Sequence, residues 1–236
     1  MSYENRTVTR SGQFAAFESG LRGYMQRVFA YMGLGLAVTG VAGFLAATVP
    51  ALHSFLYAPG MHLVTLFAPL AIVLFLSFRI DRVSLSSAQT TFWLYAVLMG
   101  FSLTPLVTQY TGQSVTKIFF ITASTFGAMA LYGYTTKKDL TSMGSFLMMG
   151  LIGLVIASIV NIFMQSSAMS FVLSAISVLV FTGLTAYDTQ KIKDLYYESD
   201  SVDIAGKKAV MGALALYLDF INIFISLLRL FGDRRD

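Results

Sequence analysis

The sequence predicts an all-α integral membrane protein with seven transmembrane helices, and three observations carry that expectation. Of its 236 residues, 56% are hydrophobic and only 12% are charged, about half the ~25% typical of soluble domains. Seven stretches approach or exceed the ~20 apolar residues that cross a bilayer: residues 25–49, 61–78, 87–108, 115–135, 143–164, 168–187 and 209–230. Lys and Arg also concentrate in alternate connections. With the N-terminus in the cytoplasm, twelve of the 16 basic residues fall on the cytoplasmic side, as the positive-inside rule requires.

Residues 1–24 are polar and carry Arg6, Arg10 and Arg22. They read as a mostly mobile cytoplasmic tail and not as a cleavable signal peptide. Residues 25–231 form the transmembrane domain. In the first span Thr39, Gly43 and Ala47 recur every four residues, a small-residue face that lets helices approach closely. Gly33 and Ala37 continue the stripe. His53 and His62, the only histidines, read as solvated residues of the first connection. Pro69 and Pro105 fall inside spans two and three and are expected to bend them. The longest connection, 188–208, holds Lys191, Lys193, Asp194, Glu198, Asp200, Asp203, Lys207 and Lys208. The last span is long enough to cross, which places the basic end, 232–236, outside. A re-entrant last segment would instead return that end to the cytoplasm.

Several function classes drop out. The chain has no cysteine, which removes disulfides, thiolate metal sites and cysteine nucleophiles. No basic block suits nucleic acid. No G-x-x-x-x-G-K-[ST] motif appears, so any transport is expected to be passive. No enzyme activity and no cofactor are expected.

Asp219 is the outstanding residue, because it is the one charge within the apolar stretch 209–228. A charge near a bilayer centre costs at least ~2.5–3.5 kcal/mol on insertion scales, so such a residue is a functional candidate. Asp188 ends the preceding span; its structural alternative is an interfacial Asp paired with Lys191 at i+3. Counting along the helices separates the two carboxyls by ~10–15 Å in depth. Contact would need tilt, a shifted last helix or a water-filled vestibule. If they meet, they cannot both ionise cheaply, and their titration belongs to the pair. A protonated pair is a neutral hydrogen-bonded latch. A deprotonated pair repels itself and attracts a cation, and calcium prefers oxygen ligands. Arg79, at the cytoplasmic end of span two, is the expected counter-charge, with a membrane anchor paired to Asp81 as its alternative. Tyr187, Gln190 and Asn222 are candidate supporting polar groups.

Two strings are more specific than these arguments. They are Gly183-Leu184-Thr185-Ala186-Tyr187-Asp188-Thr189-Gln190 and Leu216-Tyr217-Leu218-Asp219-Phe220-Ile221-Asn222-Ile223-Phe224, the latter followed by Leu227-Leu228-Arg229. With Gly100-Phe101-Ser102-Leu103-Thr104-Pro105-Leu106 in span three, the chain resembles the bacterial branch of the transmembrane Bax inhibitor motif family over nearly its whole length. The resemblance implies a last helix at the centre, wrapped by two three-helix groups. It also implies location in the bacterial inner membrane and a pH-sensitive calcium leak. Asp188 and Asp219 would be proton and cation sensor, and the metal-contacting pair. Arg79 would be a counter-charge near the latch and Arg229 one toward the outer mouth. A calcium-leak relative within that family sets an acidic residue in span two against such an outer arginine, and residues 61–78 contain none.

Two other readings compete with the leak. Family resemblance also suggests a regulatory membrane protein acting by protein contact, for instance on a membrane-bound protease. An intramembrane aspartyl protease would share the two carboxylates but lacks the glycines of a GxGD motif around Asp219. A retinal protein would need a lysine in the last span, where 209–228 has none.

Overall fold

The computed structural model describes the backbone of residues 2–235 and the side chains of residues 15–235. The side chains of Arg6, Arg10 and Asp236 lie outside the described residues. The helices are α1 (Ser2–Thr48), α2 (Pro50–Leu56), α3 (Met61–Arg79), α4 (Leu85–Val107), α5 (Gly112–Thr135), α6 (Thr141–Met164), α7 (Ser167–Asp194) and α8 (Val202–Phe231). A 3-10 turn, Ile80–Arg82, follows α3. All but α2 are long and apolar enough to span a membrane, so the seven expected spans are present.

Four helices begin alike. Ser84, Thr111, Ser166 and Ser201 each accept a hydrogen bond from the backbone N–H three residues on, which satisfies one of the donors a helix start leaves open. Such caps let spans begin sharply after short connections. The exterior is apolar: Phe163, Phe78 and Leu179 are 83%, 80% and 73% exposed, as lipid-facing side chains should be.

α8 is the inner helix. In its apolar window 72% of residues are buried, against no more than 28% in any other span. Its main contacts are with α7, α1, α5 and α4; α3 packs chiefly on α4, and α6 on α7. Glycine makes the close crossings. A Cβ on Gly43 would sit 3.2 Å from Gly100 O, and one on Gly100 would sit 2.8 Å from the Ala42 Cβ. The Thr39–Gly43 face is a close-approach surface, as its spacing predicts, and the helix it meets is α4. Gly33 does not extend that contact, since a Cβ there would meet nothing within 4 Å.

Three expectations are corrected. The N-terminal stretch is helical and continuous with the first span, because Phe17 and Tyr24 pack on Tyr196, with ring centroids 5.3 Å and 5.6 Å apart. The first connection contains a helix, α2, fastened by the Tyr57 hydroxyl donating to Phe101 O at 2.6 Å. Most consequentially, α7 runs seven residues beyond its expected end, and α8 starts seven residues early.

The opposite end of α8 settles its course. Thr111 N donates to Asp233 O at 3.0 Å and Arg235 N to Gln109 O at 2.9 Å. The C-terminal residues thus lie on the α4–α5 connection, at the far end of the bundle from the α7–α8 connection. α8 crosses the bundle without turning back.

Candidate functional site

The extended ends of α7 and α8 set the site. Lys208 Nζ donates to Leu195 O at 3.0 Å and to Asp200 Oδ2 at 2.6 Å. A Cβ on Gly212 would contact Ile192 at 3.0 Å. Residue 208 is therefore level with 195, and 212 with 192, so the first turns of α8 overhang the end of α7. Asp203 ties this overhang to the start of α4 by accepting from Leu85 N at 3.2 Å.

Followed inward, this register removes the apparent depth gap. The Asp188 and Asp219 carboxyl groups are within hydrogen-bonding reach of each other. A shifted last helix is what brings them together. Carboxylates only accept, so a hydrogen bond between them needs one proton. Asp219 is 3% exposed, and its Oδ2 has no donor among the described residues. Asp188 is half-buried and lines a vestibule of about 410 Å³ together with Asp81, Lys191, Lys207, Lys208 and Met211. One carboxyl thus faces a wettable space while the other faces the protein interior.

The remaining candidates scatter. Lys191 is the cation that acts on Asp188; its Nζ sits 5.7 Å from the Tyr187 ring centroid. Arg79 is exposed at the end of α3, next to Ile80 and Asp81 of the vestibule wall. The two ion pairs among the described residues, Lys207–Asp203 and Lys208–Asp200, do not include it, so it is not bound to Asp81 either. Arg229 is exposed in the last turn of α8, at the other end. Gln190 clasps the α5–α6 connection, accepting from Leu140 N and donating to Lys138 O, both at 2.8 Å. Asn222 donates back to Leu218 O at 2.8 Å. Tyr187 packs against Gly144 of α6.

A polar group that sequence reasoning did not single out centres on Tyr217, two residues before Asp219 and on the opposite face of α8. Thr39 Oγ1 is 2.6 Å from the Tyr217 hydroxyl and within 2.9 Å of the Gly35 and Ala96 carbonyls. The Thr39 hydroxyl has one proton, which the carbonyls take, so Tyr217 donates to it. The Tyr95 ring packs edge-on against Tyr217 at 5.2 Å, and its buried hydroxyl has no partner among the described residues. The signal was a Tyr two residues before an intramembrane Asp.

The arrangement can hold a proton between two carboxyls or present them to a cation arriving from the vestibule. No group of three or more His, Asp or Glu suited to a metal occurs among the described residues. A calcium ion there, which takes six to eight oxygens, would bring most of its ligands as water.

The family described as inhibitor of apoptosis-promoting Bax1 matches residues 21–236. The chain belongs to this Bax inhibitor family. Among its relatives, an uncharacterized protein of Rickettsia prowazekii is 48% identical over 98% of both chains. The inner membrane protein YbhL of Escherichia coli is 43% identical over 96% of this chain and 98% of its own. An uncharacterized protein of Caulobacter vibrioides is 42% identical over 98% of this chain and 96% of its own. As a Bax inhibitor family membrane protein, the chain contacts the lipid bilayer with the apolar exterior described above.

Proposed function

We propose that this Bax inhibitor family protein is a pH-sensitive leak pathway for calcium, gated by Asp188 and Asp219. The observation that carries this reading is the approach of the two carboxyls within an otherwise apolar bundle. Protonated, the pair is a neutral latch joining α7 to α8. Deprotonated, it repels itself, weakens the α7–α8 contact and draws a divalent cation out of the vestibule. The vestibule faces the cytoplasm if the N-terminus does, an orientation supported by the distribution of Lys and Arg. The inner membrane location named for the Escherichia coli relative supports the same placement for this chain.

The test is calcium entry into sealed proteoliposomes carrying a trapped indicator, from mildly acidic to mildly alkaline pH. Flux above that of empty liposomes, rising with pH, is expected. Folded protein that conducts nothing would sink the leak.

Two variants sharpen the reading. Asp188→Asn is expected to weaken the pH-dependence less than Asp219→Asn does, because Asp188 is the less buried of the two and lines the vestibule. Combining the two should give a non-additive effect, since coupled residues deviate from additivity; strictly additive effects would argue against a shared proton. Arg79→Ala is expected to change the leak at acidic pH, where the latch is closed. Wild-type leak in that variant would leave Arg79 as a membrane anchor.

A second reading, regulation by protein contact, has its own observation. Phe17 and Tyr24 pack on Tyr196 of the α7–α8 connection, so a partner holding the N-terminal turns of α1 would act on that connection. Deleting residues 2–22 separates the two. Loss of a protease phenotype with flux intact would favour contact.

A further inference from the structure

From the level of Phe220 on α8 to the end of the bundle where the C-terminal residues lie, a cavity of about 920 Å³ opens between α1 and α5. That is near the top of the roughly 300–1,000 Å³ range of ligand sites. Its walls include Gly33 and Gly40 of α1 and Phe120 of α5, and its floor is Phe220 and Phe224 of α8. The floor residues are 3% and 7% exposed, so the cavity reaches the central helix. Wall residues at the α1 side are open to the exterior: Gly33 and Gly40 are exposed, and a Cβ on either would meet nothing within 4 Å. The small-residue stripe of α1, used for packing from Thr39 to Gly43, is here left without a helix against it.

Arg235 belongs to the lining and is held there through its backbone, by the bond to Gln109 O. Lys117 is exposed next to Thr116 of the wall, and Arg234 is exposed beside Arg235. An apolar trough whose one charged lining residue is Arg235, at the end of a transmembrane bundle, suits an acyl chain beneath a phosphate. We infer that this groove binds an anionic membrane phospholipid, its acyl chain lying against Phe220 and Phe224 and its phosphate at Arg235. A second copy of the chain is the poorer occupant. Twofold pairing through this groove would set two copies of Arg235 at the same level.

The site lies one residue along α8 from Asp219, so lipid occupancy would bear on the helix that carries the Asp pair. The inference does not depend on calcium conduction, and its test measures no flux. Native mass spectrometry of the full chain is titrated with phosphatidylglycerol or with phosphatidylcholine of the same acyl chains. Wild-type protein is expected to hold one phosphatidylglycerol in preference to phosphatidylcholine. Arg235→Gln should reduce that preference about fivefold, the worth of one basic residue near a membrane surface. Gly40→Phe fills the groove and should lose both lipids. Its side chain enters open space, and Gly33→Leu is a second filling variant; unchanged unfolding temperatures confirm that both fold. Lipid binding unaffected by Arg235→Gln and by both filling variants would overturn the inference. So would wild-type protein that holds no lipid, or a dimer that Gly40→Phe dissolves.

Discussion

Asp219→Asn is expected to abolish the pH-dependence of calcium flux, leaving a low, flat profile. The side chains are nearly isosteric, so the α7–α8 packing survives. The chemistry does not. The introduced amide would donate to Asp188 whether or not Asp188 is protonated, and the latch would stay closed at every pH. In the wild type, one shared proton can change the closed-to-open ratio by up to about tenfold per pH unit, and the variant should vary by much less. The burial of Asp219 makes this the largest single-residue effect expected on flux. Asp219 Oδ2 has no hydrogen-bond partner among the described residues, so no second donor holds this side chain in place of the shared proton. Two outcomes would count against the dyad. A variant with the wild-type pH profile would put the sensor elsewhere. A variant with high, flat flux would mean that the carboxyl pair holds the pathway shut by some means other than a proton.

The seven spans were legible because hydrophobic length alone identifies a bilayer crossing. The close-packing face of α1 was legible because residues four apart share a helix face, whereas its partner, α4, was not. The meeting of Asp188 and Asp219 was not, and the reason is specific. Lys191, Lys193 and Asp194 continue α7, and Asp203, Lys207 and Lys208 begin α8. Charge makes these turns read as connection, although they are helical. Measuring depth from the apolar segments then misplaces both carboxyls. The register depends on Lys208 reaching Leu195 O and on Ile192 packing at Gly212, contacts between elements that a one-dimensional pattern does not encode. Gln190 is two residues after Asp188, and half a turn carries it to the opposite face, where it clasps the α5–α6 connection. For Tyr217, only the position of α1 makes Thr39 its partner.

The largest effect on stability is expected from the smallest substitution, Gly133→Ala. α5 and α7 cross so closely at Gly133 that an added Cβ would overlap the backbone of Ala186, its carbonyl oxygen first. Backbone cannot rotate aside as the end of a side chain can, so the helices must separate. Overpacking of this kind costs typically about 1–3 kcal/mol. The opposing gain in helix propensity, about 1 kcal/mol for Gly→Ala, is the smaller of the two, so destabilisation wins. Gly127 lies on the same helix, exposed, with nothing within 4 Å of a Cβ. Gly127→Ala should therefore be neutral or slightly stabilising and is the matched control. Thermal unfolding of the two variants in detergent checks this, and equal unfolding temperatures would remove the close crossing. Ala186 is two residues from Asp188, so separating α5 from α7 also moves the outer carboxyl of the pair. Folded Gly133→Ala protein should then conduct with a disturbed pH profile although it carries both aspartates. A wild-type profile in a destabilised variant would show that the latch is set by α8 alone.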